Sequence, residues 1–187
     1  MQSSAPSTDL SPPRFPKLIR VLVIEDDFGD YDAVARALRK LQSFEAMATR
    51  AKTLESARKL MAEHAYDVLL IDYNLGVECG SRLLDEIGGR GGHAVPILLT
   101  GELDHRVHES ALLAGAICCI NKRDLSPTLL ETTIRSAMYT HRLEAEVMVL
   151  VKALNAGQVE NARSMLTLIR DRMPWLAAEP GKRRVST

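Results

Sequence analysis

Residues 18–27 read LIRVLVIEDD, an apolar run that ends in three acidic side chains. Only Arg20 interrupts its apolar part, 18–24, and such a run is typical of a strand buried on both faces of a parallel sheet. Further runs of this kind lie at 67–71, 95–99 and 116–120, and a weaker one lies at 44–50. The sequence therefore predicts five short strands.

Helical patterns occupy the intervals between these strands. The segment 30–42 places Val34, Leu38 and Leu41 on one face, and Thr53 is suited to cap the next helix. Further helices are expected at 81–87, at 103–114 and from Pro127 onward. Strands that alternate with helices in this way predict an α/β fold with a doubly wound, five-stranded parallel sheet.

Composition excludes several classes of protein. The 187 residues carry 24 Lys+Arg against 24 Asp+Glu, and 46% of them are hydrophobic, which is too many for a disordered chain. The net charge of +0 gives no basic excess for binding nucleic acid or a membrane surface. The apolar runs are far shorter than a membrane span, and residues 1–10 lack a signal-peptide pattern. Three cysteines do not make a disulfide framework, so we expect a cytoplasmic protein.

Polar residues follow four of the predicted strands, at the sheet edge where doubly wound folds place their sites. They are Glu25 and Asp26 after the first strand, Asp72 after the third, Thr100 after the fourth, and Lys122 after the fifth. Converging carboxylates repel one another unless a cation compensates, and carboxylate oxygens suit Mg²⁺. This set favours phosphoryl transfer to Asp72 as the nucleophile, with Lys122 and the Thr100 hydroxyl contacting the product.

The residues at these positions resemble the receiver domains of bacterial two-component response regulators, the CheY-like superfamily, over about 18–140. The resemblance rests on the acidic pair, on residues 71–75 (IDYNL), on Gly80, and on Thr100 with Lys122 following 22 positions later. It implies a (βα)5, flavodoxin-like fold. It also implies that Asp72 accepts a phosphoryl group from a sensor histidine kinase or a histidine phosphotransfer protein, and that the chain is not an enzyme in the usual sense. The Mg²⁺ ligands would be Glu25 through water, Asp26, Asp72 and the carbonyl of Asn74.

Three positions depart from the pattern of that family. Gly76 and Arg123 stand where the family usually has proline, and Cys119 stands where it usually has an aromatic residue. These departures keep open a second hypothesis, in which the chain is an interaction protein with a receiver fold and works without phosphorylation. A third reading, a haloacid-dehalogenase-type phosphatase, requires a DxD motif after the first strand, and residues 26–28 (DDF) do not supply it.

The chain continues beyond a minimal receiver. Residues 127–154 predict one unbroken helix, 155–157 a turn and 159–173 a second helix. We expect a disordered leader at 1–17, a receiver at 18–140, a C-terminal helical hairpin or arm at 141–176, and a flexible tail at 177–187. The hairpin either folds back on its own receiver or, as we favour, holds a homodimer together through Leu143, Val147, Leu150, Leu154, Leu166 and Ile169. It shows no recognition helix with clustered Arg and Lys, so we expect output through protein contacts and no DNA binding.

Overall fold

The computed structural model describes residues 15–76, 78–86, 93–101, 105–157 and 159–172. The chain divides into two compact units. One comprises Phe15–Ala145 and contains the sheet, and the other contains the described residues from Glu146 onward.

Five parallel strands form one sheet, as the apolar runs predict. In chain order, the strands of this sheet and of a separate short pair are β1 (Leu18–Ile24), β2 (Glu45–Ala51), β3 (Val68–Asp72), β4 (Asn74–Leu75), β5 (Glu78–Cys79), β6 (Val95–Thr100) and β7 (Cys118–Asn121). The sheet has the order β2-β1-β3-β6-β7, and β4 pairs with β5 separately. Ile24 lies opposite Ile71, Asp72 opposite Leu99, and Thr100 opposite Asn121. The carboxyl ends of the parallel strands therefore meet at one edge.

Helices connect the strands and continue beyond the last one. They are α1 (Phe28–Leu38), α2 (Leu54–Glu63), α3 (Gly80–Glu86), α4 (His105–Leu113), α5 (Pro127–Asn155) and α6 (Val159–Arg172). Helix α1 begins two residues earlier than predicted, because the Asp27 side chain caps it by accepting from the Asp30 N–H. It also ends before Gln42, whose N–H donates to Glu131 of α5 at 2.7 Å. Thr53 caps α2 as predicted, in a capping box with Ser56.

The apolar side chains form two cores, one on each face of the sheet. Val21, Val23 and Leu70 belong to one core, and Leu22 and Ile71 belong to the other. The adjacent cysteines follow the same alternation, because Cys118 packs against the first core and Cys119 against the second. Burial raises the pKa of the Cys119 thiol to about 11. Its role at neutral pH is therefore that of a small apolar side chain.

A short antiparallel hairpin follows the end of β3, and the sequence patterns do not predict it. Strands β4 and β5 pair Asn74 with Cys79, and Gly76 lies between them with a φ of +62°. Proline is confined to a φ near −65°, so it cannot occupy this position. The hairpin thus accounts for glycine where receivers usually have proline.

Helix α5 is 29 residues long, and its residues from Glu146 onward belong to the second unit. It ends in a turn at Gly157, where a φ of +72° gives a glycine-type cap, and α6 follows. The fold prediction of a five-stranded sheet followed by two C-terminal helices is confirmed. Among the described residues, no helix has the length and apolar content needed to cross a membrane.

Candidate functional site

Three carboxylates converge where β1 and β3 end. Glu25, Asp26 and Asp72 each offer an oxygen, and these oxygens all lie within 4.8 Å of one another. Glu25 and Asp72 are buried, whereas Asp26 is exposed at the mouth of the site. Such a set of hard oxygen donors, open to water on one side, fits a magnesium ion that keeps several of its waters.

The ammonium group of Lys122 lies among these carboxylates. It donates to Glu25 Oε2 at 2.7 Å, to Asp30 Oδ2 at 2.7 Å, and it lies 3.0 Å from Asp72 Oδ2. These hydrogen bonds raise the pKa of Lys122 despite the opposing effect of burial, so the ammonium stays charged. Asp30 lies in the first turn of α1, and no sequence pattern indicates its contact with Lys122, because the two residues are 92 positions apart.

Burial and charge oppose each other at the two buried carboxylates. Loss of water raises the pKa of Glu25 to about 7, although the hydrogen bond from Lys122 lowers it. The pKa of Asp72 is also raised, chiefly by burial, while Lys122 and the backbone N–H of Asn74 lower it. Lys122 therefore favours the ionised form of Asp72, which is the form that can act as a nucleophile.

Arg50 of β2 fixes the loop that carries the acidic pair. It donates from Nε to the Glu25 carbonyl at 3.1 Å and from Nη2 to the Asp26 carbonyl at 2.7 Å. The guanidinium carbon lies 5.4 Å from the ring centroid of Phe28 and 5.2 Å from that of Tyr31. This planar group thus ties β2 to the β1–α1 loop. The strand pattern around Arg50 is weak, and no spacing rule indicates this contact.

Gly80 brings the backbone of α3 against the back of the site. A Cβ atom at this position would lie 2.1 Å from the Asp72 carbonyl oxygen and 2.8 Å from Ile71 Cγ2. The Gly80 N–H donates to the Tyr73 carbonyl at 2.9 Å. The glycine eight residues after Asp72 is therefore required by close backbone approach.

An open depression of about 680 Å³ lies in front of these groups. Its lining includes Asp30, Asn74, Thr100, Lys122 and Arg123. Thr100 is buried at the end of β6. The depression thus brings together the predicted Thr100, Lys122 and Asn74, while the Asn74 carbonyl as a metal ligand stays a prediction.

Arg123 stands where the family usually has proline, and it gives the backbone a different path into α5. Its N–H donates to the Asn121 side chain at 2.9 Å, and Lys122–Asp124 form a turn of 3-10 helix. A proline would lack this donor, so the Asn121 contact depends on the departure from the family pattern.

The predicted interface residues of α5 and α6 differ in exposure. Leu143 is half-buried and Leu150 is 8% exposed, so Leu150 is already covered within this chain. Val147, Leu154 and Leu166 are 47%, 48% and 50% exposed. The side chain of Ile169 lies outside the part that the structure describes.

Known proteins share this architecture. The model of the response regulator receiver domain family matches residues 21–135. The transcriptional regulatory protein CitT of Bacillus subtilis (strain 168) is 29% identical over 98 residues, which are 52% of this chain and 43% of CitT. The chain therefore spans less than half the length of that relative.

Two solved structures show the same fold. The signal receiver domain of the DNA-binding response regulator merR from Colwellia psychrerythraea 34H is 27% identical, with a TM-score of 0.56 over 63% of this chain and 96% of that one. The receiver domain of the putative response regulator NarL from Mycobacterium tuberculosis is 22% identical, with a TM-score of 0.58 over 66% and 98%. Because the family match covers more than half of the sequence, the chain belongs to the response regulator receiver domain family.

Proposed function

We infer that this chain is a phosphorylation switch of a two-component phosphorelay and that Asp72 is its phosphoacceptor. The observation that carries this inference is the position of Asp72, a buried carboxylate at the end of the central strand β3, 3.0 Å from the Lys122 ammonium. Glu25 and Asp26 complete a set of oxygen donors beside it. The donor is a phosphohistidine of a sensor histidine kinase or a histidine phosphotransfer protein.

The reaction is an in-line transfer to a carboxylate. An Asp72 oxygen attacks the phosphorus, the bond between phosphorus and the donor nitrogen breaks, and the electron pair of that bond returns to the imidazole. The product is an acyl phosphate. Lys122 and the Thr100 hydroxyl, which line the same depression, donate hydrogen bonds to the phosphoryl oxygens. In this proposal the chain is a phosphoryl acceptor and not an enzyme in the usual sense.

Glu25, Asp26 and Asp72 would hold Mg²⁺, and the Asn74 carbonyl would complete the protein ligands. Their fit to the ion rests on the 4.8 Å grouping of oxygens and on the exposure of Asp26 to water. When bound, the ion neutralises negative charge on the carboxylates and on the phosphoryl oxygens.

Output would pass through protein contacts, including a homodimer formed by the C-terminal helices. Val147, Met148, Val149, Val151 and Leu154 of α5 are each 43–54% exposed. They lie within about two turns of the helix, and an exposed apolar patch of this kind typically marks an interaction surface. A second copy of this chain offers the same apolar surface and would cover it in a closed two-fold assembly.

The test is labelling by a phosphodonor in the presence of Mg²⁺. The wild-type chain should become labelled, and Asp72→Asn should not. Asp67→Asn is the matched control, because it makes the same substitution just before the same strand, where Asp67 accepts from the Arg20 N–H at 2.7 Å. Labelling that persists in Asp72→Asn would contradict the assignment. Absence of labelling in the wild-type chain would favour the phosphorylation-independent interaction protein.

A further inference from the structure

The Lys122 ammonium shares its three N–H donors among three carboxylates. Glu25 and Asp72 lie at strand ends, and the third, Asp30, belongs to α1. A lysine side chain has three donors and no acceptor, so these contacts use all of them. A phosphoryl group on Asp72 adds oxygens that also need donors. Some contact of Lys122 must therefore be given up when the acyl phosphate forms.

The three carboxylates differ in what they lose when Lys122 leaves. The Glu25 side chain is 1% exposed, so water cannot replace the hydrogen bond that it would lose with Lys122. The Asp30 side chain is 50% exposed, and water can replace the hydrogen bond that it loses. Asp30 is thus the partner that Lys122 exchanges at the lowest cost.

Asp30 also lies at the mouth of the site. It lines the open depression together with Thr100 and Lys122, the two groups that would contact the phosphoryl oxygens. Its negative charge there repels an anion, and its hydrogen bond occupies a donor that the anion requires. Both effects act in the same direction and weaken the binding of a phosphoryl-like anion.

We propose that Asp30 is a positioning residue that holds Lys122 in the unphosphorylated chain and competes with the phosphoryl group for it. The proposal rests on Asp72 being the phosphoacceptor. Asp30 thereby limits how readily the switch turns on. The competition arises from α1, where Asp30 accepts a hydrogen bond from the Lys122 ammonium.

The experiment measures the affinity of the full chain for beryllofluoride, an analogue of the phosphoryl group, by fluorine NMR at saturating Mg²⁺. Asp30→Asn keeps the shape of the side chain and removes its charge. Because an exposed ion pair contributes about 0.2–1 kcal/mol, Asp30→Asn should bind beryllofluoride about 1.4- to 5-fold more tightly than wild type. Asp30→Glu, which restores the carboxylate, should return the affinity towards the wild-type value.

Asp32→Asn is the matched control. Asp32 lies on the same helix and is half-buried, and it pairs with Arg36 rather than with Lys122. Asp32→Asn removes the same charge from α1 and should leave the affinity within experimental error of wild type. Equal gains in both variants would show a general charge effect and would overturn the proposal.

Two further results would also overturn the proposal, and they differ in what else they affect. Unchanged or weaker beryllofluoride binding in Asp30→Asn, with normal binding by wild type, would remove the role of Asp30 alone. Absence of binding by the wild-type chain at saturating Mg²⁺ would remove the proposed function of Asp72, and the role of Asp30 with it. Urea midpoints of the variants would show that each is folded.

Discussion

Replacing Gly80 by alanine perturbs the site through the backbone of Asp72 and replaces none of the functional side chains. The added Cβ would lie 2.1 Å from the Asp72 carbonyl oxygen, whereas real Cβ contacts essentially never fall below 3.0 Å. The two groups must therefore separate by about 0.9 Å. The atom met is backbone and cannot rotate away, so the shift moves either α3 or the end of β3.

The cost is that of overpacking, which is typically about 1–3 kcal/mol, and the rigid contact places Gly80→Ala at the upper end. With a urea m-value of about 1–3 kcal/mol per molar, the unfolding midpoint should fall by about 1–3 M. Beryllofluoride affinity in Mg²⁺ should fall as well, because the Asp72 carboxylate moves with its backbone.

Gly101→Ala is the control for the Gly80 experiment. Gly101 follows Thr100 at the same edge of the sheet, and a Cβ there would meet nothing within 4 Å. Its midpoint should stay the same or rise slightly, since alanine restricts the unfolded chain. A Gly80→Ala chain with the wild-type midpoint and beryllofluoride affinity would refute the close-approach argument.

Three further perturbations test other parts of the site and of the chain. Because burial raises the pKa of Glu25 to about 7, Mg²⁺ affinity should increase as the pH rises from about 6 to 8, which calorimetric titration measures. The metal-free fold should lose stability over the same interval, because the folded chain holds the Glu25 proton more tightly than the unfolded chain, and urea unfolding measures this loss. A flat pH profile would contradict burial as the cause of the raised pKa. Arg50→Ala should lower Mg²⁺ affinity and cost about 1–2 kcal/mol of stability, because it loses two contacts with backbone carbonyls. Arg50→Lys should recover only part of the affinity and stability, because an ammonium group cannot span both carbonyls. Unchanged Mg²⁺ affinity in Arg50→Ala would refute the positioning role of Arg50. Val147→Ser combined with Leu154→Ser should convert a dimer to a monomer in light scattering while Asp72 remains phosphorylatable; a persisting dimer would place the interface elsewhere.

The sequence predicts the sheet and the principal site residues because both follow from short-range patterns. Buried parallel strands are apolar runs, and the residue after each run marks a position at the carboxyl edge. Glu25, Asp26 and Asp72 could therefore be placed together before any distance was known, and their oxygens do lie within 4.8 Å of one another. Thr100 and Lys122 meet there for the same reason.

The contacts of Asp30 and Arg50 could not be predicted in this way. Asp30 reaches Lys122 from a helix 92 positions earlier, and Arg50 reaches two carbonyls across neighbouring strands. Such contacts depend on where the helix starts and on side-chain rotamers, which periodicity does not encode. The β4–β5 hairpin was missed because strands of two residues are too short to show a pattern.

The apolar stripe predicted on α5 agrees only in part with the exposure of its residues. Leu150 is covered within the chain, whereas Met148 and Val149, outside the predicted set, are about half exposed. A helical stripe shows which residues share a face, but it does not show which face its own chain covers.

The most direct test of the central claim is to identify the carboxylate that carries the phosphoryl group. The full chain would be phosphorylated in Mg²⁺, treated with hydroxylamine, which converts an acyl phosphate to a hydroxamate, and digested for peptide mass spectrometry. We expect a single hydroxamate at Asp72, lost in Asp72→Asn and retained in Asp67→Asn. A hydroxamate at Glu25 or Asp26, or its persistence in Asp72→Asn, would contradict the account.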